Sequence, residues 1–206
     1  MLESRLIAIV RFHDGGDVDG AVAALLRGGV KVVEVTLDTP GALGVVARCA
    51  ADGVTIGVGT VVHAGQVAQC TEAGARFVVT PGLVPEVVEE ARRLGVEPIP
   101  GVFTPTEVLA ARVAGARSLK VFPATTGGPG HVRALRGPFP DTAFVPTGGI
   151  GIDDVGAYLD AGAAAVGLGS ELVGRAAPRT DADLESIAAR AARAVAAATN
   201  EQEGSG

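Results

Sequence analysis

Residues 18–37, VDGAVAALLRGGVKVVEVTL, hold the unit from which the fold is read. An Ala-rich amphipathic stretch, 18–27, stops at a Gly-Gly pair and gives way to a short β-branched run, 32–37. A helix that ends on glycine and feeds a continuous apolar strand is half of a strand–helix–strand crossover. The same alternation extends in both directions. Further strand-like runs fall at 6–10, 55–58, 77–80, 97–99, 119–122, 143–146 and 164–168. Helical patterns lie between them at 43–51, 65–73, 85–94, 106–114 and 152–161. Stop signals recur at Gly53, Gly74, Gly95, Gly115 and Gly162, and start signals at Asp17, Thr39-Pro40, Thr104-Pro105 and Asp153.

Short unbroken apolar strands alternating with helices imply a parallel sheet covered by helices. Eight strands point to a closed (β/α)8 TIM barrel, and the short spacing of the units favours it over a six-stranded doubly wound sheet. Residues 1–200 are expected to form one domain. One stretch breaks the rhythm: PATTGGPGH, 123–131, reads as a Gly-rich loop before a short helix at 132–136. A terminal helix is expected over 183–199, followed by a polar, disordered tail at 201–206.

Composition narrows the function classes. The chain has 206 residues and a net charge of −6, so the basic patches that neutralise nucleic-acid phosphates are not expected. Aromatics make up 3% and Trp is absent, which disfavours a base-stacking surface. No apolar run approaches the ~18 residues of a membrane span, and the N-terminal run is too short for a secretory signal. Two cysteines, Cys49 and Cys70, are too few for a disulfide scaffold. The expectation is a cytoplasmic protein acting on a small molecule, with no nucleic-acid or membrane partner.

Of 17 basic residues only Lys31 and Lys120 are lysine. Codon bias is the plain explanation, yet only lysine can serve as a neutral amine nucleophile. Lys31 starts a strand directly after a helix stop and reads as a solvated surface residue. Lys120 is different. Residues of one parity along a strand share a face, which sets Glu34 with Thr36 and Lys120 with Phe122, opposite the branched residues. Glu34 and Lys120 therefore project into the interior, where a carboxylate and an amine are costly unless paired or used. A structural ion pair is one reading. The other is a nucleophilic amine with an acid/base carboxylate, because burial disfavours the charged amine. Arg11 lies in line with Ile7 and Ile9 at the end of the first strand.

Glycine-rich strand ends form a second constellation. PTGGI, 146–150, and GLGS, 167–170, follow the last two strands, where exposed amides of this fold commonly cradle phosphate. GVGT, 57–60, and TPG, 80–82, close two earlier strands and could hold a carboxylate or simply turn the chain. His13, His63 and His131 lie in loop-like contexts without ligand spacing, so neither a metal nor any other cofactor is expected. His131 reads as a solvated loop residue. A phosphate-binding isomerase, epimerase or synthase would share the late loops without needing an inward lysine. A non-catalytic binding protein would need neither Glu34 nor Lys120.

VEVTLDTPGA, GVGTV, FVVTPGL, PIPGVFTPTEVLAARVAGA, LKVFPA and GPFPDTAFVPTGGI occur in this order. Together they closely resemble the 2-keto-3-deoxy-6-phosphogluconate (KDPG) aldolases, also described as 4-hydroxy-2-oxoglutarate (KHG) aldolases, over residues 6–173. The resemblance implies a metal-free class I aldolase assembled as a homotrimer. It implies that Lys120 forms a Schiff base and Glu34 is the general acid/base. Thr60, Pro81 and Gly82 would bind the pyruvyl carboxylate, and Phe122 would pack beside the imine. Gly148, Gly149 and Ser170 would receive phosphate. Thr147 falls at a determinant of C4 stereochemistry, where Thr resembles the phosphogluconate branch and Val the phosphogalactonate branch. The implied reaction cleaves KDPG to pyruvate and glyceraldehyde 3-phosphate. Cleavage of 4-hydroxy-2-oxoglutarate to pyruvate and glyoxylate, or of the phosphogalactonate isomer, is the alternative. One departure stands out: some members carry an Arg four residues after the Glu, at the substrate carboxylate, where this chain has Asp38. Arg11 resembles the Arg of other members and is expected to compensate.

Overall fold

The computed structural model describes residues 4–199; the tail expected to be disordered lies outside them. Strands and helices alternate through most of this length: β1 (Leu6–Val10), α1 (Val18–Arg27), β2 (Val32–Thr36), α2 (Ala42–Ala51), β3 (Thr55–Gly59), α3 (Ala64–Glu72), β4 (Phe77–Val79) and α4 (Pro85–Arg93). Two strands, β5 (Glu97–Ile99) and β6 (Gly101–Val102), come next, then α5 (Pro105–Val113), β7 (Ser118–Val121), α6 (Ala124–Arg136) and β8 (Ala143–Pro146). A 3-10 turn at Ile152–Asp154 leads into α7 (Val155–Asp160), followed by β9 (Val166–Leu168), α8 (Ser170–Val173) and α9 (Asp181–Thr199).

All strand pairs are parallel. They form a six-stranded sheet ordered β5-β4-β3-β2-β1-β9 and a three-stranded sheet ordered β6-β7-β8. The expected eight-stranded ring is thus seen as a curled parallel α/β arrangement in two ladders. The division falls at Pro100, which has no N–H to donate and separates β5 from β6. Its carbonyl still accepts from the Lys120 N–H at 2.9 Å, so the second ladder begins where the first stops. At the other seam a bridge joins Thr147 to Gly167.

The expected glycine stops hold. After α1, α2, α3, α4, α5 and α7 the chain turns through a left-handed glycine, and the next N–H reaches back into the last helical turn, as from Ala116 to the Ala111 carbonyl at 3.0 Å. Two start signals hold as well. Asp17 accepts from the Gly20 N–H at 2.7 Å, and Thr104 forms a reciprocal cap with Glu107. Thr39 does not cap α2, whose N-cap is Gly41. Its hydroxyl is taken by a tertiary contact, accepting from the Phe12 N–H at 3.2 Å. The stretch 123–131 is mostly helical rather than a loop: α6 starts at Ala124 and is broken only at Gly128 (φ 63°, ψ −172°). Pro129 then opens the second segment, where its missing N–H costs nothing.

Two apolar layers flank the sheets. Val33, Val35, Val58, Leu119, Val121 and Phe144 pack outward against the helices. Ile7, Val32, Phe77, Val79, Ile99 and Val145 form a separate inner cluster. Glu34 and Lys120 border that inner cluster at its upper end, with Ile9 and Thr147. Among the described residues no helix is long and apolar enough to cross a membrane, and both cysteines are free.

Candidate active site

The C-terminal ends of the strands surround a cavity of about 410 Å³. It is lined by Arg11 after β1, Glu34 of β2, Lys120 and Phe122 on and just after β7, Thr147–Gly149 after β8 and Ser170 at the start of α8. Parity had set Glu34 and Lys120 on inward faces, and both are buried, at 3% and 8% exposure. They form no direct ion pair with one another. The arrangement is therefore a carboxylate and an amine facing one cavity, with room for a small molecule.

The path of Glu34 is shaped by two glycines in β3. Glu34 lies beside Gly57 in the ladder, and Thr36 beside Gly59. The space above Gly57 is filled by the Phe77 ring, 2.5 Å from where a β-carbon would stand. The Glu34 side chain leans instead over Gly59, toward the strand end, and its Oε1 takes the place of a side chain there. Burial pushes the Glu34 carboxyl above the usual carboxylate range; Lys120 and Arg11 oppose the shift and Asp38 adds to it.

On β7 the Lys120 Nζ lies 4.9 Å from the Phe122 ring centroid. Phe122 in turn packs on Gly148, where a β-carbon would come within 2.9 Å of the ring. Gly148 and Gly149 have φ of 102° and 75°, a pair of conformations that side chains oppose. The turn is pinned to α6: the Ala124 N–H donates to the Thr147 carbonyl at 2.8 Å and the Thr125 N–H to the Gly148 carbonyl at 3.4 Å. The amides of Gly149 and Ser170 donate to no protein acceptor among the described residues. A cavity wall with unengaged N–H groups suits an anion.

At the other side of the mouth, Arg11 donates to the Thr60 hydroxyl at 2.6 Å and, more distantly, to Thr36 at 3.4 Å. Its Nε also lies 3.4 Å from the Asp38 carboxylate. Thr60 holds φ 61°, a strained conformation for a residue other than glycine, which turns its hydroxyl toward Arg11. Asp38 thus does more than replace a cation: it pairs with the arginine expected to compensate for it.

Pro81 and Gly82 are not in the cavity lining. The Pro81 carbonyl packs against the α-carbon of Gly101, which lies beside Lys120 in the ladder. Thr80 bridges the same region, accepting from the Gly101 N–H at 3.2 Å and donating to the Gly82 carbonyl. His131 is not a solvated loop residue. It is half-buried, stacks on Phe103 at 4.5 Å and donates from Nε2 to the Phe103 carbonyl at 2.7 Å. Lys31 is exposed, as expected. The cavity also contains His13, Glu171 and Arg175, which no sequence signal singled out. Arg175 follows a four-residue helix too short to leave a periodic pattern.

Comparisons with known proteins show the family of the chain. The family model described as KDPG and KHG aldolase matches residues 1–189. A probable 2-dehydro-3-deoxy-6-phosphogalactonate aldolase of Rhizobium meliloti is 37% identical over 83% of this chain and 82% of its own length. A 2-dehydro-3-deoxy-phosphogluconate aldolase of Pseudomonas aeruginosa is 36% identical over 76% of this chain and 73% of its own. The solved KDPG aldolase of Legionella pneumophila, with pyruvate captured at low pH as a covalent carbinolamine intermediate, superposes with a TM-score of 0.80. It is 31% identical, covering 91% of this chain and 92% of its own. With a buried amine and carboxylate at the strand ends and these relatives over most of its length, the chain belongs to the KDPG and KHG aldolase family and is an aldolase, a carbon–carbon lyase.

Proposed function

We propose that this protein is a class I aldolase that cleaves a 4-hydroxy-2-keto acid bearing a terminal phosphate, with KDPG as the preferred substrate. The observation that carries the reading is the buried pair Glu34 and Lys120 facing one cavity beside the glycine turn at 148–149. The Lys120 amine adds to the C2 ketone, and loss of water leaves a protonated imine. Glu34, with no direct ion pair to Lys120, takes the C4 hydroxyl proton directly or through one water. The C3–C4 bond then breaks, its electrons move into the imine to give an enamine, and the aldehyde leaves. Protonation at C3 and hydrolysis release pyruvate and restore the amine.

The two ends of the substrate fit two sides of the cavity. Arg11, held by Thr60, serves the pyruvyl carboxylate. The amides of Gly149 and Ser170 serve the phosphate, with Arg175 adding positive charge on that side. Pro81 and Gly82 act by shaping the backbone beside Lys120. Thr147, 6% exposed and in the cavity wall, favours the phosphogluconate configuration at C4. The test is a comparison of kcat/KM for pyruvate release from KDPG, its phosphogalactonate isomer and 4-hydroxy-2-oxoglutarate. KDPG is expected to give the highest value. Equal values for all three would remove both the phosphate and the Thr147 assignments.

The two ladders fit one closed (β/α)8 barrel in which β5 and β6 are a single strand interrupted at Pro100. The Thr147–Gly167 bridge supports that reading at the opposite seam. We further propose a cytoplasmic homotrimer. Leu109 and Val113 of α5, 56% and 89% exposed, supply apolar surface that assembly would cover. Light scattering should give the mass of three chains at micromolar concentration, and a monomer would contradict it.

A further inference from the structure

At the opposite end from Lys120, the starts of the strands surround a larger cavity of about 820 Å³. Arg76, directly before β4, Arg117, directly before β7, and Arg92, in the last turn of α4, line it together. All three are exposed, and none forms an ion pair among the described residues. Arg92 has one weak hydrogen bond, to the Ala114 carbonyl at 3.4 Å. The lining carboxylate, Glu97, accepts the Ser118 hydroxyl at 3.1 Å. The basin is therefore positive in a chain whose net charge is −6.

A helix C-terminus explains one arginine, since a cation in the last turn offsets the helix dipole, and Arg92 occupies that place. It does not explain the other two. Arg76 and Arg117 stand past the caps, in a Gly-Ala-Arg tripeptide that recurs at 74–76 and 115–117. The cap carbonyls beside them are already taken: Ala75 N–H donates to Cys70 and Ala116 N–H to Ala111, each at 3.0 Å. Their guanidinium groups make no side-chain hydrogen bond among the described residues. Like charges gathered around one cavity give it a positive potential that attracts an anion, most strongly at low ionic strength. Guanidinium pairs bidentately with carboxylate or phosphate, and three of them around one space suit a phosphoryl group better than a single planar carboxylate.

We propose that Arg76, Arg92 and Arg117 form a second anion site, for a small molecule carrying a phosphoryl group, separate from the substrate cavity. The proposal does not depend on the aldolase mechanism. Inorganic pyrophosphate is the probe, titrated calorimetrically at low ionic strength into the full chain. Three variants accompany it: Arg76→Gln/Arg117→Gln, Ser170→Asp, and Arg27→Gln/Arg133→Gln, which removes the same charge from exposed positions elsewhere. Pyrophosphate affinity should fall at least about tenfold in the first and persist in the other two. The first variant should keep kcat/KM for aldol cleavage within about twofold, which also shows that it is folded. The proposal is overturned by loss of binding in Ser170→Asp alone, by equal weakening in the charge-matched control, or by no binding to the wild type at millimolar pyrophosphate.

Discussion

The Glu34 carboxylate occupies the space that a side chain on Gly59 would fill. A methyl group at that position collides with Oε1, and the neighbouring space over Gly57 is already closed by Phe77. Gly59→Ala should therefore displace the proposed base without touching it chemically. The expected fall in kcat is about 10²–10⁴-fold, the usual range for a general acid/base, with KM changing far less. Glu34→Gln should give a similar loss, and the double variant no more than the larger single one. Full additivity, or near-normal turnover by Gly59→Ala, would show that Glu34 is positioned by something else.

Much of this was legible in the sequence. Alternation of β-branched and Ala-rich segments gave the parallel α/β arrangement, because glycine stops punctuate the helices so regularly. Strand parity brought Glu34 and Lys120 inward, because a period of two leaves only two faces to choose between. The split at Pro100 was missed, since β5 and β6 are too short to register as separate runs. The helix expected at 132–136 holds, but its extension back over 124–131 was missed because Gly127, Gly128, Pro129 and Gly130 read as a loop, although only Gly128 leaves helical geometry. Pairing of Arg11 with Asp38 depends on two strand ends meeting in space, which no local pattern encodes.

Glu34 also predicts a pH dependence. Its carboxyl is raised above the usual range chiefly by burial, so the base form is reached only at higher pH than for an exposed Glu. The acid limb of kcat/KM should lie above the ordinary carboxylate range and vanish in Glu34→Gln. For stability, a folded-state pKa above the unfolded value gives a contribution present below the unfolded pKa and lost as pH rises through the folded one. Glu34→Gln should thus gain in Tm relative to wild type as pH rises from about 4 to about 8. A gain that shrinks with rising pH would contradict the direction of the shift.

Arg11 and Asp38 make a separable prediction. Arg11→Ala should lower kcat/KM for phosphorylated and unphosphorylated substrates alike. The loss of a charge-assisted bond, ~1.5–3 kcal/mol, corresponds to about ten- to hundredfold. Asp38→Asn should act oppositely and weakly, lowering KM by less than about fivefold, because an exposed ion pair contributes under about 1 kcal/mol. An effect of Arg11→Ala confined to phosphorylated substrates would move Arg11 to the phosphate end.

Ser170→Asp sets a carboxylate against the phosphate side of the cavity. Turnover of KDPG should collapse, by about 10²-fold or more if a charge-assisted contact is replaced by repulsion. Turnover of 4-hydroxy-2-oxoglutarate, which has no phosphate, should stay within about threefold. Equal loss on both substrates would point to damage of α8 rather than to charge.

The Schiff base is the central claim, and it can be trapped. Incubation with pyruvate and borohydride should reduce the imine and leave a stable pyruvate-derived adduct on the peptide containing Lys120. That labelling should be abolished in Lys120→Arg, which retains the charge but cannot form the imine. An adduct on Lys31, or no adduct in an enzyme that still releases pyruvate, would contradict the account.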